Sequence, residues 1–451
     1  MGVILAIIVV AWVVYMIIKR YYPQAVLLTA GCVLLLYVFF MMHTPILEAK
    51  ESSGSNFLDV FQTIKSLLAT RVAGLGLMIM SIAGFAKYMD YLGASRSLFA
   101  VVAAPLRLIK SPYLLLVLGF YVSQFLVLFI PSHAGLGLLL MVTMYPILIR
   151  AGVSKLSALG VIGCAQYMDV GPGSGNAILA ANVAKLSPAV YFVHYQLPIF
   201  VTTTLILGVV HFFAQRWWDK REGFTGYDNS ADLAKENEER PPLIFAILPI
   251  IPMMLILGFS PIFHSKVNMD VVTAMFLSTF ISMAFQFCRI RDFKATMLSL
   301  KHLYEGMGTS FATVISLIVA GEVFAAGLLK IGAVDAMISA VQRTGLGIHF
   351  LIILICLVIC GCAFLMGSGN AAFFSFAALT PKIAASLNID VLTLLVPMQI
   401  MTSFGRVVSP ITAAIVAIAG VAEVSPFQVV KRTALPMAAA ALINIAFIFF
   451  H

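Results

Sequence analysis

Apolar runs at residues 2–18, 24–42, 243–260, 267–287 and 428–450 set the pattern of this chain. Each approaches the roughly 20 residues that an α-helix needs to cross a hydrocarbon core about 30 Å thick. The string GSGNA interrupts such surroundings twice, at 173–177 and 367–371, and SHAGL (132–136) and SPITA (409–413) interrupt them again. Glycine and small polar residues make poor helix, and non-helical backbone at membrane depth must be satisfied by protein or by a watery cavity. The pattern predicts a polytopic α-helical membrane protein broken at four places. The first run has no basic leader and no small-residue cleavage site, and Lys19 and Arg20 follow it, so it reads as a retained span.

Composition agrees. Of 451 residues, 61% are hydrophobic and 10% charged, against about 25% charged in soluble domains, and the mean hydropathy is +1.04. The formal charge of +9 is dispersed among loops rather than gathered into a nucleic-acid-binding patch. Cys32, Cys164, Cys288, Cys356, Cys360 and Cys362 sit mostly in apolar surroundings, and Cys356, Cys360 and Cys362 have no nearby histidine or carboxylate to complete a zinc shell. Residues 215–242 hold seven of the nineteen acidic residues and read as a solvated cytoplasmic connector between two halves.

Those halves, 1–214 and 243–451, resemble each other. Residues 170–188 lie over 408–426 at an offset of 238 with seven of nineteen positions identical, pairing Pro172 with Pro410 and Pro188 with Pro426. Residues 132–137 fall over 368–373 at 236, and Phe85-Ala86 and Gly93-Ala94 over Phe324-Ala325 and Gly332-Ala333 at 239. Each half reads as three spans, a hairpin (112–150; 348–386), an interrupted helix (156–188; 392–422) and a last span. Taking the hairpins as re-entrant leaves five crossings per half, and an odd number inverts the second half. With both termini periplasmic, 19 cationic residues fall on the inner face and 8 on the outer, as the positive-inside rule requires. In this scheme Arg71 is an outer-loop charge, Arg432 an inner-loop charge, and 57–70 and 291–306 interfacial arms. His194, His211, His264, His302 and His349 fall near span ends.

Inversion would gather the two hairpin tips and two breaks near the midplane. Half-helices restarting there aim positive N-termini and free N–H groups at an anion, while released carbonyls suit Na⁺. Substrate-binding candidates are Ser132, His133, Ser174, Gly175, Asn176, Ser368, Gly369, Asn370, Arg406, Ser409 and Thr412. Ion-coupling candidates are Asp169, Gly173, Asn176, Asn370 and Glu322. Glycine and serine also serve close helix packing, which is the bland alternative for any one break. Arg406 fits in no loop, and a guanidinium inside a span costs at least about 2.5–3.5 kcal/mol unless compensated. It either binds a substrate carboxylate bidentately or pairs with Asp169 or Glu322, the acids deepest in the spans. Asp169 can hold Na⁺, pair with Arg406 or carry a proton. Glu322 reads as a proton site or a buried neutral acid, and His133 as a ligand or as a histidine satisfied by backbone.

The motifs SHAGLGLLL (132–140), GPGSGNAILAA (171–181), MGSGNAAF (366–373), FGRVVSP (404–410) and VSPFQVVKRTALP (424–436) resemble the anaerobic C4-dicarboxylate carriers of the DcuC type. Those carriers fall within a broader ion-transporter superfamily that includes divalent-anion/sodium symporters. The resemblance implies an inner-membrane carrier of succinate, fumarate or malate, dimeric through a scaffold domain, whose transport domain moves like an elevator. It also implies that Ser132, Ser368 and Asn370 meet substrate carboxylates and sodium. His133 departs from that pattern, standing where a small amide is expected. No cofactor is expected, with Na⁺ or H⁺ as candidate coupling ion. Another small anion, an amino acid or a monocarboxylate, is the alternative cargo. No phosphate-binding GxxxxGK[ST] loop, HExxH or GxSxG is present, which argues against a primary pump or an enzyme. A channel would need a continuous pore where the tips imply an occluded site.

Overall fold

The computed structural model describes residues 2–109, 111–224, 242–263, 267, 269–333, 336, 339 and 347–450. Residues 225–241 of the expected connector, and His264, lie outside the described residues. The first half comprises α1 (Gly2–Ile18), α2 (Pro23–Tyr37), α3 (Asn56–Arg71), α4 (Leu77–Leu92), α5 (Ala94–Val102), α6 (Pro112–Leu126), α7 (His133–Thr143), α8 (Tyr145–Arg150), α9 (Lys155–Gly163), α10 (Gly175–Val183), α11 (Pro188–Tyr191) and α12 (Leu197–Arg221). The second comprises α13 (Ile251–Gly258), α14 (Val271–Ile290), α15 (Phe293–Ser299), α16 (Lys301–Ser310), α17 (Ser316–Lys330), α18 (Ile348–Met366), α19 (Gly369–Ala377), α20 (Thr380–Leu387), α21 (Val391–Val407), α22 (Ala413–Val421) and α23 (Pro426–Phe450). Eight helical runs among the described residues are long and apolar enough to span a membrane. The α7–α8 run is among them, while the interrupted α9/α10 and α21/α22 fall short of that length.

Burial is arranged for lipid. On α14 the inward face carries Ser278, Thr279, Ser282 and Gln286, while Leu277, Phe280 and Phe287 are exposed. Ser278 and Ser282 donate to the carbonyls of Ala274 and Ser278, so no hydroxyl is stranded.

Local structure repeats at the offsets the sequence shows. Ser132 caps α7 by accepting from the Gly135 amide, and Ser368 caps α19 by accepting from Ala371, 236 residues on. π-Helical turns at Val72–Gly76 and Phe311–Ile315 differ by 239. Left-handed residues pair likewise, Gly93 with Gly332 and Lys185 with Glu423. Across the halves, α7 packs on α22 and α19 packs on α10.

Among the described residues, every side-chain hydrogen bond between helices except Arg71–Asn182 falls within one of two bodies. One holds α1–α5 and the segment from the 3₁₀ turn Leu243–Ile250 through α17; the other holds α6–α12 and α18–α23. Within the first, α2 crosses α17 where a Cβ on Gly31 would lie 2.7 Å from the Phe324 nitrogen, and α4 crosses α16 with Gly84 and Gly306 in similar contact. Within the second, a Cβ on Gly367 would reach an Ile411 side-chain carbon at 2.8 Å. Across the seam the approach is looser, at 3.3 Å for Gly321 against Phe374 and 3.7 Å for Gly175 against Ile79. Gly31→Ala should therefore lower the melting temperature in detergent, since the backbone of α17 has to move away at a cost of about 1–3 kcal/mol. Gly308, with open space around its Cα, should accept alanine without loss.

Several expectations need correction. Residues 215–221 continue α12 rather than open the connector, because Gln215 and Asp219 are buried against α23. The expected arms 57–70 and 291–306 are helical, the second from Phe293 on, and continue through π turns into the long runs Asn56–Leu92 and Phe293–Lys330, so what changes is the loop expected after them. Arg71 and Arg432 are not loop charges: each lies in a helix and holds a carboxylate. His211 is not interfacial but fully buried in α12, its ring tilted against Phe120 with centroids 4.7 Å apart. The run from 243 begins as 3₁₀ rather than α, consistent with Pro249 and Pro252 removing amide donors.

Candidate functional site

The first break is longer and starts earlier than GSGNA predicts. Helix α9 stops at Gly163, residues 164–174 are non-helical, and α10 restarts at Gly175. Gly171 takes φ +93°, a left-handed value that favours glycine, just before Pro172. Asp169 thus lies inside the break, not on the helix before it.

Side chains from distant segments replace the lost helical bonds. The Asp169 carbonyl accepts from Gln196 Nε2 at 3.0 Å and Gln399 Nε2 at 2.7 Å. The Asp169 amide donates to Ser403 Oγ, and the Gly171 amide donates to Gln196 Oε1. Gln399 Oε1 accepts from Tyr191 and Gln196. This is the internal satisfaction that a broken span requires.

Arg406, in the last turn of α21, faces Asp169 as a fork. Its Nη1 donates to Oδ2 at 2.9 Å and its Nη2 to Oδ1 at 2.7 Å, with a further bond from Nη2 to the Gln166 carbonyl at 3.1 Å. Both side chains are buried, 9% and 5% exposed. Asn176 at 2.6 Å, Gln166 at 3.0 Å and Ser403 at 3.2 Å also donate to the Asp169 carboxylate. Of the two roles open to Arg406, the structure displays the ion pair, and its partner is Asp169 rather than Glu322.

Contacts link all four interruptions. His133 Nε2 lies 3.3 Å from the Gly163 carbonyl oxygen, and Gln166 Nε2 reaches the Pro131 carbonyl, so the first tip meets the first break. Arg406 and Ser403 join that break to the end of α21. A Cβ on Gly369 would lie 3.4 Å from Arg406 Cδ, and Gly367 faces Ile411, so the second tip meets the second break. Ser132 and Ser368 accept amide bonds through their oxygens, which leaves both hydroxyl hydrogens free to donate.

Five buried polar atoms here lack partners: Arg406 Nε, Ser409 Oγ, His133 Nδ1, Asn176 Oδ1 and Gln166 Oε1. Native interiors leave few such groups, and a cluster of them marks a place for a ligand, water or ion. Arg406 Nε and Ser409 Oγ are donors suited to a carboxylate. The amide oxygens of Asn176 and Gln166 are acceptors suited to a cation or water.

Other expected residues take different surroundings. Ser174 is buried at the start of α10 without making a side-chain cap, and Gly175 opens that helix. Asn370 stands in the first turn of α19, half-buried. Thr412 donates to the Arg406 carbonyl at 2.6 Å, closing the second break. Gly173 lines a small cavity with Ile82, Phe85, Leu128, Met253 and Met275, whose side chains are apolar. Glu322 pairs with Arg71 at 2.7 Å in the other body instead of joining the Asp169 cluster. Gln166, Tyr191, Gln196, Gln399 and Ser403 were not singled out from the sequence. Their one signal was a neutral polar side chain inside an apolar run.

A family model described as C4-dicarboxylate anaerobic carrier, DcuC, matches residues 1–451. The chain is 34% identical over 424 residues to the probable anaerobic C4-dicarboxylate transporter DcuC of Vibrio cholerae, covering 94% of this chain and 92% of that one. It is 32% identical over 434 residues to the anaerobic C4-dicarboxylate transporter DcuC of Escherichia coli K12, covering 96% and 93%. Among solved structures, the Alcanivorax borkumensis YdaH transporter superposes with a TM-score of 0.66 at 13% identity, covering 95% of this chain and 98% of that one. Neisseria gonorrhoeae MtrF superposes with a TM-score of 0.59 at 14% identity, covering 95% of each. These two likenesses concern the fold alone.

Proposed function

The chain belongs to the DcuC family of anaerobic C4-dicarboxylate carriers, and on that premise we propose that it is a secondary transporter of succinate, fumarate or malate in the bacterial inner membrane. The observation that carries this reading is the meeting of two capped hairpin tips, two broken spans and a buried guanidinium with unpartnered donors. A C4-dicarboxylate has two carboxylates to place. One fits beside Ser368 and Asn370 at the start of α19, where Arg406 Nε is unpartnered and Cδ lies against Gly369. The other fits at the start of α7, where Ser132 has a hydroxyl hydrogen to give. Helix N-termini favour anions at both places. Asp169 orients Arg406 and balances its charge, so the guanidinium is paired rather than a stranded cation.

The finer proposals rest on the same geometry. Inverted repeats, each with a re-entrant hairpin, are supported by the recurring caps and turns and by the crossed packing of α7 on α22 and α19 on α10. Movement of one body past the other, as in an elevator, is supported by side-chain hydrogen bonding that, among the described residues, crosses between the bodies only at Arg71–Asn182. Coupling to Na⁺ or H⁺, or exchange, a homodimer held by the first body, and periplasmic termini complete the reading.

Uptake of labelled succinate into proteoliposomes, under separately imposed Na⁺ and pH gradients, tests it. Saturable uptake driven by one gradient, with fumarate and malate competing and lactate and aspartate not, is the expected result. Equal competition by lactate or aspartate would replace the dicarboxylate with another small anion.

A further inference from the structure

Among hydrogen bonds whose partners are both described, a single side-chain bond crosses between the two bodies. Arg71 Nη1 in α3 donates to Asn182 Oδ1 in α10 at 3.4 Å. The same guanidinium is anchored on its own body by Nε to Glu322 at 2.8 Å, and Glu322 is 7% exposed. We propose that Arg71, held by Glu322, is the catch that sets how fast the body carrying the broken spans slides past the other. This rests on the transport reading above.

Three observations carry the assignment. The catch is asymmetric: a short charge-assisted pair fixes Arg71 to its own body, while the crossing bond is long, ends on a neutral amide and lies at an exposed residue. Such a bond can be broken and remade without stranding a charge. Elsewhere along the described seam the contacts are packing ones, with a Cβ on Gly321 lying 3.3 Å from Phe374 and no second side-chain hydrogen bond. Gly173 there meets an apolar lining from α4, α13 and α14, and the glycine-mediated interlocks under 3.0 Å lie inside one body or the other. Finally, α10 has a polar side chain working at each end, with Asn176 bonded to Asp169 and Asn182 bonded to Arg71. One short helix therefore connects the site pair to the seam.

The test uses the full-length protein in proteoliposomes. Asn182→Ala removes the crossing bond and leaves Arg71–Glu322 intact. The expected result is a maximal succinate rate raised about 3- to 10-fold, the reach of one hydrogen bond, with KM and melting temperature unchanged. Asn182→Asp turns the contact into an ion pair and should slow the maximal rate by a similar factor, again at constant KM. A purely structural role predicts a lower melting temperature and no rate change in Asn182→Ala. Wild-type rates in both variants, or changes confined to KM, overturn the catch. Absence of uptake by the wild-type chain overturns the transport reading instead. The catch is then read without substrate, by hydrogen–deuterium exchange of residues 175–187: faster exchange in Asn182→Ala supports it and unchanged exchange refutes it.

Discussion

Arg406→Ala abolishes succinate uptake and lowers the melting temperature, Asp169→Ala does the same, and the double variant melts closer to wild type while remaining inactive. That is the expected outcome from a fork buried at 9% and 5% exposure. Removing one member of a buried pair strands the other charge, at a cost of about 3–5 kcal/mol. Removing both leaves a cavity but no stranded charge, so the fold recovers where the site does not. Asp169 is the more exacting partner. Its carboxylate also takes bonds from Asn176, Gln166 and Ser403, and its backbone carbonyl takes two more from Gln196 and Gln399. Arg406→Lys separates charge from shape. Lysine keeps the charge but cannot bond both carboxylate oxygens in a plane, donate to the Gln166 carbonyl and still present Nε to the second tip. Uptake should fall by at least about 100-fold, the worth of two or three charge-assisted bonds, while melting changes less than in Arg406→Ala. Normal uptake by Arg406→Lys would remove Arg406 from the site.

Arg432→Ala should act in the opposite register, on stability and not on KM. Arg432 is 1% exposed in α23, where its Nη1 donates to Ser157 and Asp219 and its Nη2 to Glu222 at 2.6 Å. Asp219 also accepts from Ser154, Ser157 and Tyr113. The network ties α6, α9, α12 and α23 at one end of the body that carries the breaks. Alanine leaves Asp219 buried and ionised without its cation, again about 3–5 kcal/mol. A clear fall in melting temperature and in recovered protein should follow, with KM of the surviving fraction kept. Asp219→Asn added to Arg432→Gln should restore part of the loss by removing the stranded charge. A raised KM with unchanged melting would place Arg432 in the substrate path instead.

Particular residues show what could be read in advance. Arg406 was legible because a cation inside a span has few reasons to be there, and Asp169 was one of two named partners. The choice between substrate and ion pair was not legible, since it depends on whether residue 169 sits on a helix or in non-helical backbone beside α21. Gln196 and Gln399 were invisible for a different reason. Each is one neutral amide in an apolar run, 203 residues apart, and their joint role exists only when both meet the Asp169 carbonyl. Arg71 and Arg432 were misplaced because counting loop charges assumes that a cation near a span end faces water. Both instead lie along helices with a carboxylate across the packing interface.

Apolar run length, the repeated small-residue interruptions and the one arginine that fits no loop determined by themselves that this is a broken-helix membrane protein with an anion-suited centre. Those features act locally, through the cost of exposing backbone or charge to lipid, so they are legible residue by residue. The pairing of Arg406 with Asp169, the amide scaffold around it and the division into two bodies joined, among the described residues, by one side-chain hydrogen bond were decided only by tertiary structure. Each depends on which faces of separate helices meet, and a linear string of apolar residues leaves that open because lipid and protein interior reward the same side chains.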